Sequence, residues 1–94
     1  MRSVQMKEYN KWALSCVEQV FSDIKNAIGL SNDEKKIMRA LEYLGQIDTS
    51  YLSSSVHSAY QTVFQYGYSK LAVDEKIRTD GWMENYPKKE LKDF

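Results

Sequence analysis

Residues 49–69 read TSYLSSSVHSAYQTVFQYGYS and contain no Asp, Glu, Lys or Arg, in a chain of which 28% is charged. Leu52, Val56, Ala59, Val63, Gly67 and Leu71 recur at helical spacing, so the stretch reads as a helix. It is too rich in Ser, Thr, Gln and Tyr to lie in hydrocarbon for about 20 residues. A solvent-facing helix normally carries charge on its outer face. Both faces of this one are therefore expected to be covered, the alternative being a central helix of a small bundle with its Ser and Gln incidentally exposed. One packs on the protein's own core. The other, lined by Ser54, Ser58, Gln61, Thr62 and Gln65, meets a partner subunit or a polar ligand. A helix from residue 49 to about residue 78 is about 45 Å long, enough to project and pair with another chain. Gly67 inside it marks either a close approach of another backbone or a kink.

Two further helices precede this stretch. Met6, Tyr9, Ala13, Cys16, Val17, Val20, Ile24, Ala27 and Ile28 form one apolar stripe, predicting a helix over about 4–28 with Ser3 as its cap. Gly29 supplies the left-handed position that ends it. A second helix is predicted over about 32–44, opened by the capping box Ser31-Asn32-Asp33-Glu34 and closed by Gly45. Its core face is Ile37, Met38, Leu41 and Leu44, and Lys35, Lys36, Arg39 and Glu42 face water. After the long third helix, Asp80-Gly81 and Pro87 signal turns. The tail over 79–94 is read as packed on the bundle through Trp82, Met83, Tyr86, Leu91 and Phe94, or as partly disordered, with packing of Trp82 favoured. The expectation is a single all-α domain over 1–94: a small bundle of three main helices, at about 4–28, 32–44 and 49–78, plus a tail.

At 94 residues the chain buries a modest fraction of its surface, so self-association would help it. Thirteen basic residues balance thirteen acidic ones, leaving no global field for DNA or an anionic membrane. One cysteine excludes an internal disulfide and no secretory signal is visible, which points to a cytoplasmic protein. No cofactor motif, phosphate loop, metal-ligand pattern or nucleophile elbow stands out, and no enzyme is expected. Cys16 is a buried apolar residue on this reading, and the single His57 a packing or hydrogen-bonding one.

Two groups of residues suit ligand binding. Lys7, Tyr9, Lys11 and Trp12 interleave cations with aromatics, a mix in which a ring stacks on a base and a cation takes a phosphate. The alternative is that Tyr9 and Trp12 are core and the lysines a solvated face. His57, Ser58 and Thr62 present an imidazole and hydroxyls on the uncharged helix, able to bond phosphate or ribose, or to pack between subunits.

Residues 30–45, LSNDEKKIMRALEYLG, together with 57–64, HSAYQTVF, resemble the helical hairpin of small phage proteins that sequester cyclic oligonucleotides. These are the anti-CBASS sponges, whose hairpin also occurs in anti-Thoeris sponges. The family's second helix carries a run of the type Arg-Thr-x-Leu-Gln-x-Gly-Phe. His57 stands here where the family often has Arg, Val63 where it has Gly, and Lys70 is a shifted basic position. The resemblance spans roughly residues 30–72. It implies an all-helical homo-oligomer, such as a hexamer, that binds cyclic di- or trinucleotides without cleaving them, in the host cytoplasm if phage-encoded. Tyr9 with Lys7 or Lys11 would supply the aromatic–cation pair by residue type.

Two other functions fit the sequence. A helix-turn-helix regulator would use the second and third helices, yet its recognition helix would carry no Arg or Lys. A protein-binding inhibitor or immunity protein would use Trp82, Tyr86 and Phe94 as anchors.

Overall fold

A computed structural model of the chain describes residues 2–94. Four α-helices form it, with no strand among the described residues: α1 (Arg2–Ala27), α2 (Asp33–Leu44), α3 (Ser54–Tyr68) and α4 (Val73–Asn85). Short 3-10 turns at Thr49–Tyr51 and Leu91–Asp93 complete the ordered path.

The stripe on α1 is the spine of the core. Tyr9, Ala13, Val17, Val20, Ile24 and Ala27 are buried, and they meet Ile37, Met38, Ala40, Leu41 and Leu44 of α2 and Val56 and Val63 of α3. Met6 and Cys16 are half-buried and Ile28 is exposed, so the stripe is narrower than the apolar pattern implies. Gly29 has φ +86°, the left-handed position expected after α1. Ser3 lies inside α1 and is not its cap.

The capping box does not form. The residue before α2 is Asn32, itself left-handed at φ 60°, and its side chain caps nothing. The Asp33 carboxylate instead accepts the Glu34 N–H at 2.7 Å. Glu34 reaches away from its own helix and accepts the Ala72 N–H at 2.7 Å.

That bond marks the main departure from the sequence reading. The helix expected over 49–78 is two helices. α3 ends at Tyr68, and the chain turns through residues 69–72 before α4 starts. Ala72 is extended at φ −70°, ψ 163°, and Leu71 is buried, so the turn is fastened twice where it enters α4: by Glu34 on α2 and by Leu71 in the core. Gly67 is not the kink. It sits in the last turn of α3, where an added Cβ would lie 2.7 Å from Ile24 Cδ1 and 3.0 Å from Leu41 Cδ2. Glycine there lets three helices meet.

Asp80-Gly81 does not turn either, because α4 runs through it to Asn85. Thr79 is the buried residue of α4, with its hydroxyl donating to the Glu75 carbonyl at 2.8 Å. The Tyr68 hydroxyl donates to Asp80 at 2.9 Å and ties α3 to α4. Trp82, expected to dock, is 39% exposed.

The tail beyond α4 is packed. The Lys89 N–H donates to the Gln46 carbonyl at 2.7 Å, and the Lys88 ammonium donates to the carbonyls of Gly45 and Met83. The Tyr9 hydroxyl donates to the Lys89 carbonyl at 2.7 Å and accepts the Asp48 N–H at 2.8 Å. Phe94 closes over Tyr9 and Trp12, with ring centroids 5.0 and 5.5 Å away. Tyr9 thus joins α1, the α2–α3 connection and the tail.

Candidate functional site: the surface around Arg39

The core of α2 takes Ile37, Met38, Ala40, Leu41 and Leu44 inward, and helical spacing therefore turns Lys36, Arg39 and Tyr43 outward along one strip. The elements beside α2 convert that strip into three clefts. The first, about 380 Å³, is closed by Asp23, Asn26, Ala27 and Leu30 at the end of α1, with Lys36, Arg39 and Tyr43 opposite. The second, about 420 Å³, lies on the other side of the same two side chains and is bounded by Arg39, Glu42, Tyr43, Gln46 and Tyr86. The third, about 240 Å³, runs toward α4 between Lys35, Met38, Arg39, Glu75, Arg78 and Trp82.

Arg39 borders all three. Lys35, Lys36 and Arg39 form no ion pair among the described residues, while Arg78 meets Glu75 at 3.9 Å on the surface, a weak contact. Each cleft also has an exposed aromatic. Tyr43 is 58% exposed and stands between the first two, Tyr86 borders the second, and Trp82 lines the third. An Arg fork takes phosphate oxygens two at a time, rings stack on bases, and the amides of Asn26 and Gln46 can read base edges. Sequence reading assigned these cations to solvent because α2 alone offers only a polar face. The clefts exist because α1 and α4 flank it. The signal in the sequence was the cation–aromatic spacing of Lys36, Arg39 and Tyr43.

The residues nominated from sequence lie elsewhere. Tyr9 is fully buried, with its hydroxyl doubly bonded and its ring edge-on to Trp12, Tyr51 and Phe94. Burial pushes its phenol above the usual value, and it offers no face for stacking. Trp12 is half-buried under Phe94. Lys7 and Lys11 are solvated, and Lys11 pairs with Glu8 at 3.7 Å. His57 is half-buried beside Tyr60, centroids 6.4 Å apart. Ser58 and Thr62 are exposed, and the Thr62 hydroxyl donates to the Ser58 carbonyl at 2.9 Å. Lys70 sits 5.3 Å over the Tyr66 ring. None of these eight residues lines a cleft around Arg39.

A larger cleft of about 510 Å³ is unsuited to an anion. Asp48, Asp80 and Glu84 line it with Thr49, Tyr60 and Met83, and its one cation, Lys88, is already held by two carbonyls. Among the described residues, no group of three or more His, Cys, Asp or Glu could hold a metal ion, and no helix is long and apolar enough to cross a membrane. Comparison of the chain with protein-family models, with characterised proteins and with solved structures gave no match.

Proposed function

We propose that this chain is a non-enzymatic binding protein that sequesters a cyclic di- or trinucleotide on the surface around Arg39. The observation that carries the reading is the position of Arg39: a guanidinium with no ion pair among the described residues, at the junction of three clefts, each with an exposed ring. A compact ligand with more than one phosphate and more than one base matches that arrangement. Stacking contributes about 1–3 kcal/mol per base. Two stacked bases and two phosphate contacts reach about −8 kcal/mol, a micromolar or tighter complex. The resemblance to anti-CBASS sponges supports the same ligand class, with the site moved from Tyr9 to the outer face of α2.

The test is a thermal-shift screen against cyclic di- and trinucleotides, with mononucleotides as controls. A cyclic species at about 100 times its Kd stabilises the fold by about 2.7 kcal/mol. That shift is expected to vanish in Arg39→Ala and to fall in Tyr43→Ala, and the ligand is expected to be recovered intact. No shift with any cyclic nucleotide, or an undiminished one in Arg39→Ala, would refute the assignment.

One observation favours a second reading. Trp82 and Tyr86 are exposed beside the same cations, and such rings anchor protein interfaces. A single host protein captured by the wild type and released by Trp82→Ala would support an inhibitor. A helix-turn-helix reading is disfavoured. Residues 45–53 separate α2 from α3, longer than the 3–4-residue turn of that motif.

A further inference from the structure

We propose that a second copy of this chain docks antiparallel along α1, centred on Phe21. This is independent of the ligand reading, because it uses the flank of α1 nearest α3 and not the outer face of α2.

Leu14, Phe21 and Ile28 are 36%, 38% and 42% exposed, and they recur every seven residues. At that spacing side chains fall on one line down a helix, about 10 Å apart. Ile28 extends the line past the last full turn, since its N–H still bonds the Ile24 carbonyl at 3.2 Å. Phe21 leans edge-on against Tyr66 of α3, centroids 5.6 Å apart, so the line runs beside the uncharged helix. There Ser55, Ser58, Thr62 and Gln65 are exposed.

The line is symmetric about its middle. Leu14 and Ile28 each lie seven residues from Phe21. An antiparallel pair centred on Phe21 therefore sets Leu14 against Ile28 of the second copy, twice, with the two Phe21 rings at the axis. The charges choose the same direction. Glu18 lies before Phe21 and Lys25 after it, the Lys25 ammonium 4.5 Å from the Phe21 ring centroid. Antiparallel pairing brings Glu18 within one residue of level with Lys25 of the second copy. Parallel pairing sets Glu18 against Glu18 and Lys25 against Lys25. Lys11, further along, meets the uncharged turn over residues 29–32. α3 itself adds no charge to the border, where the nearest cation is Lys70, just past its end and 5.3 Å over the Tyr66 ring.

The apolar line is about 21 Å long. With α3 beside it the contact is about 400 Å² per copy, half the usual size, which places it among weak, concentration-dependent interfaces.

Sedimentation from about 10 to about 500 micromolar tests this. The wild type is expected to move from 11.0 kDa toward twice that mass. Phe21→Asp is expected to stay monomeric with unchanged helical circular dichroism, and Leu14→Glu to do the same should Phe21→Asp disturb Tyr66. Glu18→Lys is expected to weaken the dimer about tenfold, and adding Lys25→Glu to restore it. A wild type that stays at 11.0 kDa throughout, or a folded Phe21→Asp that dimerises like it, overturns the proposal. A double swap no better than the single one overturns the antiparallel arrangement.

Discussion

Replacing Tyr9 by Phe removes one oxygen and leaves the ring. That oxygen donates to the Lys89 carbonyl at 2.7 Å and accepts the Asp48 N–H at 2.8 Å, joining positions 80 and 39 residues apart in sequence. Each bond contributes about 1 kcal/mol, and both partners are left unsatisfied beside a closed aromatic cluster, so the expected loss is about 2 kcal/mol. For a domain of this size that lowers Tm by about 8–16 °C. The effect should concentrate in the tail, because Lys89 loses one of its two anchors. Thermal unfolding by circular dichroism gives the first number, and amide exchange over residues 87–94 gives the second. The ring contacts to Trp12, Tyr51 and Phe94 survive, so the variant remains folded at low temperature, and its affinity for a ligand at Arg39 should be unchanged. A Tm within about 3 °C of wild type, with the tail equally protected, would refute the view that Tyr9 fastens the fold. Loss of ligand affinity in the folded variant would return Tyr9 to the site.

Other consequences are as direct. Gly67→Val puts a branched side chain where even one carbon meets Ile24 at 2.7 Å, and it should cost about 3 kcal/mol in denaturant titration. Glu34→Ala should cost about 1 kcal/mol by losing the bond to the Ala72 N–H, whereas Ser31→Ala should be silent, because Ser31 caps nothing. Alkaline stability should follow Tyr9. Burial raises its pKa above 10.0, so its contribution is complete below that value and is lost as pH climbs through the raised one. A pH titration of Tm should fall more steeply above pH 10 in wild type than in Tyr9→Phe.

The first two helices were legible because their signals are local: a 3.6-residue stripe, a left-handed glycine after α1, and the apolar positions of α2. The split of the long helix was not. Residues 69–72, SKLA, contain neither Gly nor Pro, and the chain turns there because Glu34, 38 residues earlier, holds the Ala72 N–H. The same carboxylate explains why the apparent capping box failed: its acid serves another helix. The uncharged face of α3 was read correctly as having one side on the core, while its polar side lies open in the single chain. The proposed surface around Arg39 was missed for a related reason. Lys36, Arg39 and Tyr43 look like any solvated strip until Asn26 and Leu30 rise on one side and Trp82 on the other. Tyr9 was legible both ways: it lies on the apolar stripe of α1, and of the two readings it is the core one, with Lys7 and Lys11 solvated, that the structure shows.

The bond from Tyr9 to Lys89 also orders events in time. Pairing of α1 with α2 needs only a short connection, so it can form early and fast. Closing a loop of 80 residues is entropically slower, and the cover over Tyr9, begun by Trp12 and Tyr51, is completed only when Phe94 arrives. A chain still being synthesised therefore carries this aromatic cluster incomplete until residues 89–94 have emerged, and in that interval it is open to aggregation and to proteases.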